Sequence, residues 1–502
     1  MNELENEAID AAMARPLGGH RARCRRGRVW KAPHPVYPPI AERVAARPAR
    51  SRWGAYPVML ATLTLIAAGA ISLARLDDGP APATVPVTPA VADLPLGSMY
   101  RIVDQIDARP LWEAGVTGRG VSVAVIDTGV AAVSELTGPD KLVAAVDLSS
   151  EQSDPMAAFG DSYGHGTHLA GIIAGRQVGA DPALAADHPE WFLGVAPDAG
   201  IVSVKVAGRD GRVSPAALIS GIDWVIEHAG ELDVRVVTLA LGIEDATPEL
   251  RAAVSAALER AWQAGIVVVV AAGNGGAESA GLAAPATNPY VIAVGGLEAG
   301  PEGLTTAPWA SAGDADRRPD VAAPGAHVES LRAPGSYADV EHPEGYVDRQ
   351  RFLASGSSQS AAVVSGAIAL LLAADPSLTP DQVKGALVAS AADVVGASTD
   401  RVGAGAVSVA AAAAADPADA PVQTWEPATS DIELAPVAGL VAVFDGPAGV
   451  WLSSTWLSST WLSSTWLSST WLSSTWLSST WLSSTWLSST WLSSTWLSST
   501  WS

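Results

Sequence analysis

Between about residues 97 and 415, short apolar runs alternate with longer amphipathic or apolar stretches, and this predicts an α/β fold: a parallel sheet covered on both faces by helices. Val121–Ile126, Ile201–Val206, Val234–Leu241, Ile266–Ala272 and Tyr290–Val294 read as buried strands. Leu169–Ala174, Pro215–His228, Pro248–Ala264, Ser360–Ala374 and Pro380–Ala392 read as helices. A second observation agrees: polar residues bracketed by glycines follow several of the strands, and open α/β sheets carry their functional groups at carboxyl ends. Cys24 is the single cysteine, so no intramolecular disulfide holds the domain and no multi-cysteine zinc site is available. Packing, hydrogen bonding and bound ions are the means left to do that work.

The segments before the domain divide by charge. Residues 1–56 carry eleven Lys/Arg against five Asp/Glu, and residues 57–450 carry nineteen against forty-seven. A field of that sign repels phosphate backbones, so nucleic acid is not an expected partner. Residues 1–52 form the basic segment. Trp53–Ala74 has no charged side chain and, at about 1.5 Å per residue, reaches about 33 Å as a helix, enough to cross a bilayer core. Arg43, Arg47, Arg50 and Arg52 precede it, and Asp77 and Asp78 follow Arg75. Residues 53–75 are therefore predicted to span the cell membrane once, with 1–52 in the cytoplasm and the rest outside. Residues 76–96, rich in proline and alanine, read as a semi-extended tether.

Four segments inside 97–415 carry chemistry. Val121-Ser-Val-Ala-Val-Ile-Asp127-Thr-Gly129 delivers a carboxylate at a strand end; alone it also fits structural capping, and an aspartic-protease site would need a second Asp-Thr/Ser-Gly or a symmetric dimer. Gly164-His165-Gly166-Thr167-His168 places an imidazole, the natural general base near neutral pH, at the start of an apolar helix. His168 reads as a hydrogen-bonded structural side chain, because a zinc helix would want His-Glu-x-x-His. Ala271-Ala272-Gly273-Asn274-Gly275 ends a buried strand on a carboxamide, which suits an oxyanion donor and equally suits a turn. Ser355-Gly356-Ser357-Ser358-Gln359-Ser360 opens a helix, where a serine is either an N-cap or a nucleophile served by a histidine.

Taken in the order Asp, His, Asn, Ser, these segments resemble the subtilisin-like serine proteases. Gly115-Val-Thr-Gly-Arg-Gly120, Gly194-Val-Ala-Pro197, Val204-Lys-Val206, Leu239-Ala-Leu-Gly242, Pro289-Tyr-Val-Ile-Ala-Val-Gly295 and Asp320-Val-Ala-Ala-Pro-Gly325 extend the resemblance over about residues 98–415. It implies a three-layer subtilisin-like fold and a serine endopeptidase with Asp127, His165 and Ser358 as the triad. Asn274 and the Ser358 backbone N–H would form the oxyanion hole. It also implies a substrate-binding pocket lined by Ala240, Leu241, Gly242, Ala271, Ala272 and Gly273, with Ala283-Ala284-Pro285 beside them, and polypeptide substrates with an apolar residue at the scissile position. No cofactor is required for such catalysis, and structural calcium is common in the family. One departure is local: where the family reads Gly-Thr-Ser-Met-Ala-x-Pro-His-Val, this chain has Gln359, Ala362 and Val363 at the Met, Pro and His positions. A catalytically altered peptide-binding protein on the same scaffold is the alternative.

The chain continues through an acidic segment, 416–450, read as a linker or small unassigned unit, into a repeat tail, 451–502, of ten Trp-Leu-Ser-Ser-Thr units and a closing Trp-Ser. A period of five gives no continuous stripe on a helix and sends successive Trp to alternate faces of a strand. Eleven indoles in 52 uncharged residues predict a low-complexity segment for cell-envelope attachment or self-association.

Overall fold

A computed structural model describes residues 91–443 except 139, 153–159, 244–246, 418–421, 425, 431–433, 435 and 438–439. The membrane segment predicted at 53–75, most of the 76–96 tether and the 451–502 repeats lie outside the described residues. Within them the chain runs α1 (Met99–Gln105), α2 (Arg109–Glu113), β1 (Ser122–Asp127), β2 (Leu142–Asp147), α3 (His165–Ala174), β3 (Gly200–Lys205), α4 (Pro215–His228), β4 (Val234–Leu239), α5 (Pro248–Gln263), β5 (Val267–Ala271), β6 (Ile292–Gly300), β7 (Gly303–Thr306), β8 (Val321–Pro324), β9 (Val328–Leu331), α6 (Tyr337–Glu341), β10 (Arg351–Ala354), α7 (Ser357–Ala374), α8 (Pro380–Ala389), α9 (Thr399–Val402), α10 (Val409–Ala414) and β11 (Leu440–Val443).

The strands that were legible as continuous apolar runs are the central ones, because a parallel strand covered on both faces needs no polar side. The main sheet has the order β11-β2-β3-β1-β4-β5-β6-β7, with β8 also on β6. β11 and β7 are antiparallel to their neighbours and the remaining pairs are parallel. β1 lies where the winding turns back, between β3 and β4, so its carboxyl end opens at the switch point of the sheet. Side-chain parity separates the helical layers. Val125 is in register with Thr238, whose hydroxyl donates to Ser365 of α7 at 2.8 Å. Ile126 is in register with Val204, and both lie under Gly221 of α4. Neighbouring residues on a strand face opposite sides, so α7, with α3 packed on it, covers one face and α4, with α5, the other.

Local chemistry explains where helices begin. Ser214, Thr247 and Thr379 each accept a backbone N–H three residues on, each is followed by proline at the first helical position, and Thr379 and Gln382 form a reciprocal capping box. α7 is the one described helix long and apolar enough to cross a membrane, with a mean hydropathy of 1.6, yet it is the buried core helix. Val363, Val364, Ile368, Leu370 and Leu372 are each fully buried there, and each contributes roughly 1.5–3 kcal/mol of transfer free energy.

Several expectations shift: the helices read from Leu169 and Ser360 begin at His165 and Ser357, and the strand read to Leu241 ends at Leu239. The strand read at Tyr290–Val294 runs from Ile292 to Gly300, long enough to pair in turn with β5, β8 and β7. The helix read at Pro380–Ala392 stops at Ala389, because Ala392 exchanges both backbone hydrogen bonds with Ala406. Finally, the 416–450 stretch adds β11 to the outer edge of β2, and on the way Ala428 N–H donates to Glu259 of α5 and Val437 N–H to Ser220 of α4. That strand covers a sheet edge that would otherwise expose unpaired backbone groups.

Candidate active site

β1 ends on Asp127, which is fully buried. Its Oδ1 accepts from the Thr128 N–H at 2.8 Å and from His165 Nδ1 at 2.8 Å. An ionised carboxylate only accepts, so Nδ1 carries the proton and Nε2 is left with a lone pair. Oδ2 has no hydrogen-bond partner among the described residues. His165 is the first residue of α3, and its neighbours must be small for it to sit so close. A Cβ on Gly166 would lie 2.2 Å from the Gly129 carbonyl oxygen and 3.3 Å from Asp127 Cβ. Gly164, the N-cap, adopts φ 105°, in the left-handed region. Burial pushes the His165 pKa down, but the charge and hydrogen bond of Asp127, joined by the charge of Asp161, push it up more strongly, and the net is a raised value.

His168 is the structural residue expected of it. Its Nε2 pairs with the Phe352 carbonyl at 3.1 Å, and burial, followed by the neighbouring His165, lowers its pKa to about 4, so it is neutral.

The serine half of the site is built by β4, β5 and α7. Helix α7 begins at Ser357 with Gly356 as N-cap, so Ser358 lies inside the first turn and its hydroxyl is not used in capping. Ser358 is half-buried in a helix start that is otherwise closed. Asn274 follows β5 and is held by its carbonyl oxygen, which accepts from Ser357 N–H at 2.8 Å and Ser357 Oγ at 2.9 Å. That bond fixes the amide's direction and leaves Nδ2 without a partner among the described residues. Gly356 makes room for it, since a Cβ there would stand 3.2 Å from Asn274 Nδ2. Ser358 Oγ donates to the Ala240 carbonyl at 3.2 Å, and no His165–Ser358 hydrogen bond is formed among the described residues. Such bonds are often long or open before substrate arrives. β1, β4 and β5 are adjacent, so Asp127, Ala240 and Asn274 line one carboxyl edge of the sheet.

The pocket segments also converge. Ala283 N–H donates to Ala272 O at 2.9 Å, Ile243 N–H donates to Ala284 O at 2.9 Å, and Gly242 and Gly273 both lie against Ala283. Ala240 and Ala271 are 8 % and 7 % exposed, and none of the residues named there is charged.

No group of three His, Cys, Asp or Glu side chains suited to a metal ion occurs among the described residues. One cage of oxygen atoms holds a cation that the chain itself supplies. The carbonyls of Ala286, Asn288 and Val291 converge on the Arg317 guanidinium at 3.2, 3.3 and 3.2 Å, and Asp320 grips it with both oxygens at 3.0 and 2.8 Å. Lys384 Nζ adds a second positive charge, 2.9 Å from Val291 O and 3.2 Å from Asp320 Oδ1. With a guanidinium filling it, this cage does not fit a metal ion.

Comparison with known proteins places the chain in a family. Residues 118–405 match the profile of the subtilase family, peptidase S8. The serine protease AprX of Bacillus subtilis (strain 168) is 35% identical over 286 residues, 54% of this chain and 60% of its own length. Subtilisin BL of Lederbergia lenta is 31% identical over 310 residues, 62% of this chain and 97% of its own length. Subtilisin DY of Bacillus licheniformis is 31% identical over 304 residues, 60% of this chain and 92% of its own length. With a profile match across more than half of its length, and with near-complete coverage of two subtilisins, this chain belongs to the subtilase family.

Proposed function

We propose that the chain is a serine endopeptidase that hydrolyses peptide bonds through an acyl-enzyme on Ser358. The observation that carries this reading is the buried Asp127–His165 pair at 2.8 Å, on the same sheet edge as Ser358 and an anchored Asn274. Ser358 Oγ turns from the Ala240 carbonyl to attack the substrate carbonyl carbon while His165 Nε2 takes its proton. The proton then passes to the leaving amine as the C–N bond breaks. Asp127 holds the ring and stabilises the imidazolium, and Asn274 Nδ2 with the Ser358 N–H holds the oxyanion. Water repeats the sequence on the acyl-enzyme. The uncharged pocket of Ala240, Leu241, Gly242, Ala271, Ala272 and Gly273 favours an apolar residue at the scissile position.

The enzyme acts outside the cytoplasmic membrane, tethered through 53–75, and its 451–502 repeats bind the envelope or one another. The charge asymmetry around Trp53–Ala74 and the eleven indoles of the tail support these two points. Removal of 451–502 should leave turnover of a soluble peptide unchanged and reduce retention or oligomer size. If turnover is lost while retention persists, the tail belongs to the catalytic unit.

The Ser358–Ala240 hydrogen bond favours one competing reading, a peptide-binding protein that has lost catalysis. A fluorophosphonate probe separates the two. Labelling that disappears in Ser358→Ala supports the peptidase, and an unlabelled wild-type chain supports the binder.

A further inference from the structure

Asp161 lies four residues before His165, is 3 % exposed, and takes no part in the mechanism above. It accepts five hydrogen bonds. Oδ1 receives Thr128 Oγ1 at 2.8 Å, Gly164 N–H at 2.6 Å and Tyr163 N–H at 3.2 Å; Oδ2 receives Thr167 N–H at 2.8 Å and Thr167 Oγ1 at 2.7 Å. The direction of the two hydroxyl bonds is fixed. Thr128 Oγ1 already accepts Gly166 N–H at 3.0 Å, and Thr167 Oγ1 already accepts Ala131 N–H at 2.9 Å, so each hydroxyl spends its own proton on Asp161. All five partners therefore donate, which suits a carboxylate; burial pushes the Asp161 pKa up, and the Thr167 and Gly164 hydrogen bonds with the Lys205 charge pull it back only in part.

The partners fall on two sides. Thr128 and Ala131 belong to the turn leaving β1, immediately after Asp127. Gly164, Gly166 and Thr167 surround His165 at the start of α3. Every bond in the network crosses from one side to the other or leads to Asp161, which stands between them.

We infer that Asp161 is a positioning residue that sets the Asp127–His165 geometry by holding the β1 turn and the α3 start in one register. This rests on the triad reading of the site. A network of charge-assisted bonds fixes direction as well as distance, and misplacing a reacting group by about 1 Å can cost about 100-fold in rate. Asp161 also adds negative charge to the surroundings of His165, which faces Asp127, Asp161 and His168.

The test uses the full chain and a soluble peptide substrate. Asp161→Asn keeps the shape but turns an NH2 group toward donors. It should lower kcat about 10- to 100-fold with KM changed less than about threefold. It should also move the acid limb of kcat/KM to lower pH, because a charge that raises the His165 pKa is gone. Thr128→Val, which breaks one relay, should lower kcat, and Thr128→Ser, which keeps the hydroxyl, should recover it. An Asp161→Asn enzyme with unchanged kcat and an unmoved acid limb overturns the inference. So does a Thr128→Val enzyme equal to Thr128→Ser, and that pair decides the matter if Asp161→Asn does not fold. Ser358→Ala, run alongside, reports on the triad separately: wild-type turnover there would sink the triad reading, and this inference with it.

Discussion

Gly166→Ala sets two effects of opposite sign against each other. Gly166 is the second residue of α3, and helix propensity alone favours alanine by about 1 kcal/mol. Sterics point the other way. The new methyl would lie 2.2 Å from the Gly129 carbonyl oxygen, whereas ordinary contact begins at 3.4 Å, so the gap must open by about 1.2 Å. Neither side yields easily, because Gly129 is backbone in a turn with φ 101° and Gly166 N–H is tied to Thr128. Overpacking of this kind costs about 1–3 kcal/mol, which exceeds the propensity gain. The opening lies directly across the Asp127–His165 bond, and a displacement near 1 Å there predicts a kcat loss of about 100-fold. The assay is kcat and KM on a soluble peptide, with a thermal melt of the same preparation. A melting temperature raised above wild type, or a kcat within about threefold of it, would refute the steric argument.

Asn274→Ala should lower kcat by about 10²–10³ with little effect on KM, the range known for the corresponding donor of a subtilisin; Ser357→Ala, which removes one of two bonds holding that amide, should cost less. A turnover profile in which Ser357→Ala equals or exceeds Asn274→Ala would contradict the anchoring role. The acid limb of kcat/KM should lie above pH 6.5, since neutral His165 is the base and its pKa is raised, and Asp127→Asn should move it down; pH–rate profiles of both enzymes check this. His168 works on stability: its folded pKa, about 4, lies below the unfolded 6.5, so its contribution is full above pH 6.5 and drains away toward pH 4. That window is worth up to about 3 kcal/mol, and His168→Gln should flatten the fall of melting temperature across it. A peptide-library profile should show apolar residues at the scissile position, and dominance by Arg or Lys would refute the uncharged pocket.

The sequence made the inner fold readable and the edges less so, for a physical reason. β1, β3, β4 and β5 are covered on both faces and appear as mostly apolar runs, broken by Ser203, Arg235 and Thr238, whereas β2, Leu-Val-Ala-Ala-Val-Asp, is equally buried and is not among the strands read from the sequence. β8, β9 and β10 are four residues long, and β11 sits in an acidic, proline-rich stretch; their pairing depends on partners far along the chain. Asp127, His165, Asn274 and Ser358 stood out because glycines and strand ends surround them. Asp161 did not, since Asp-Ser-Tyr-Gly reads as an ordinary turn, and only the folded positions of Thr128 and Thr167 reveal five donors pointing at one carboxylate. Nor could the sequence give the direction of the Ser358 hydroxyl, which depends on a rotamer and on where the Ala240 carbonyl ends.

The Arg317 cage has a consequence outside the active site. A dissolved ion stabilises a fold by an amount that follows its concentration in the surroundings. The guanidinium in this cage is covalently part of the chain, so its occupancy does not depend on dilution, chelation or the mineral content of the medium. The loop from Ala286 to Val291 carries its counter-charge with it from the moment of synthesis, and its order is set by inheritance where an ion-filled loop would be set by environment.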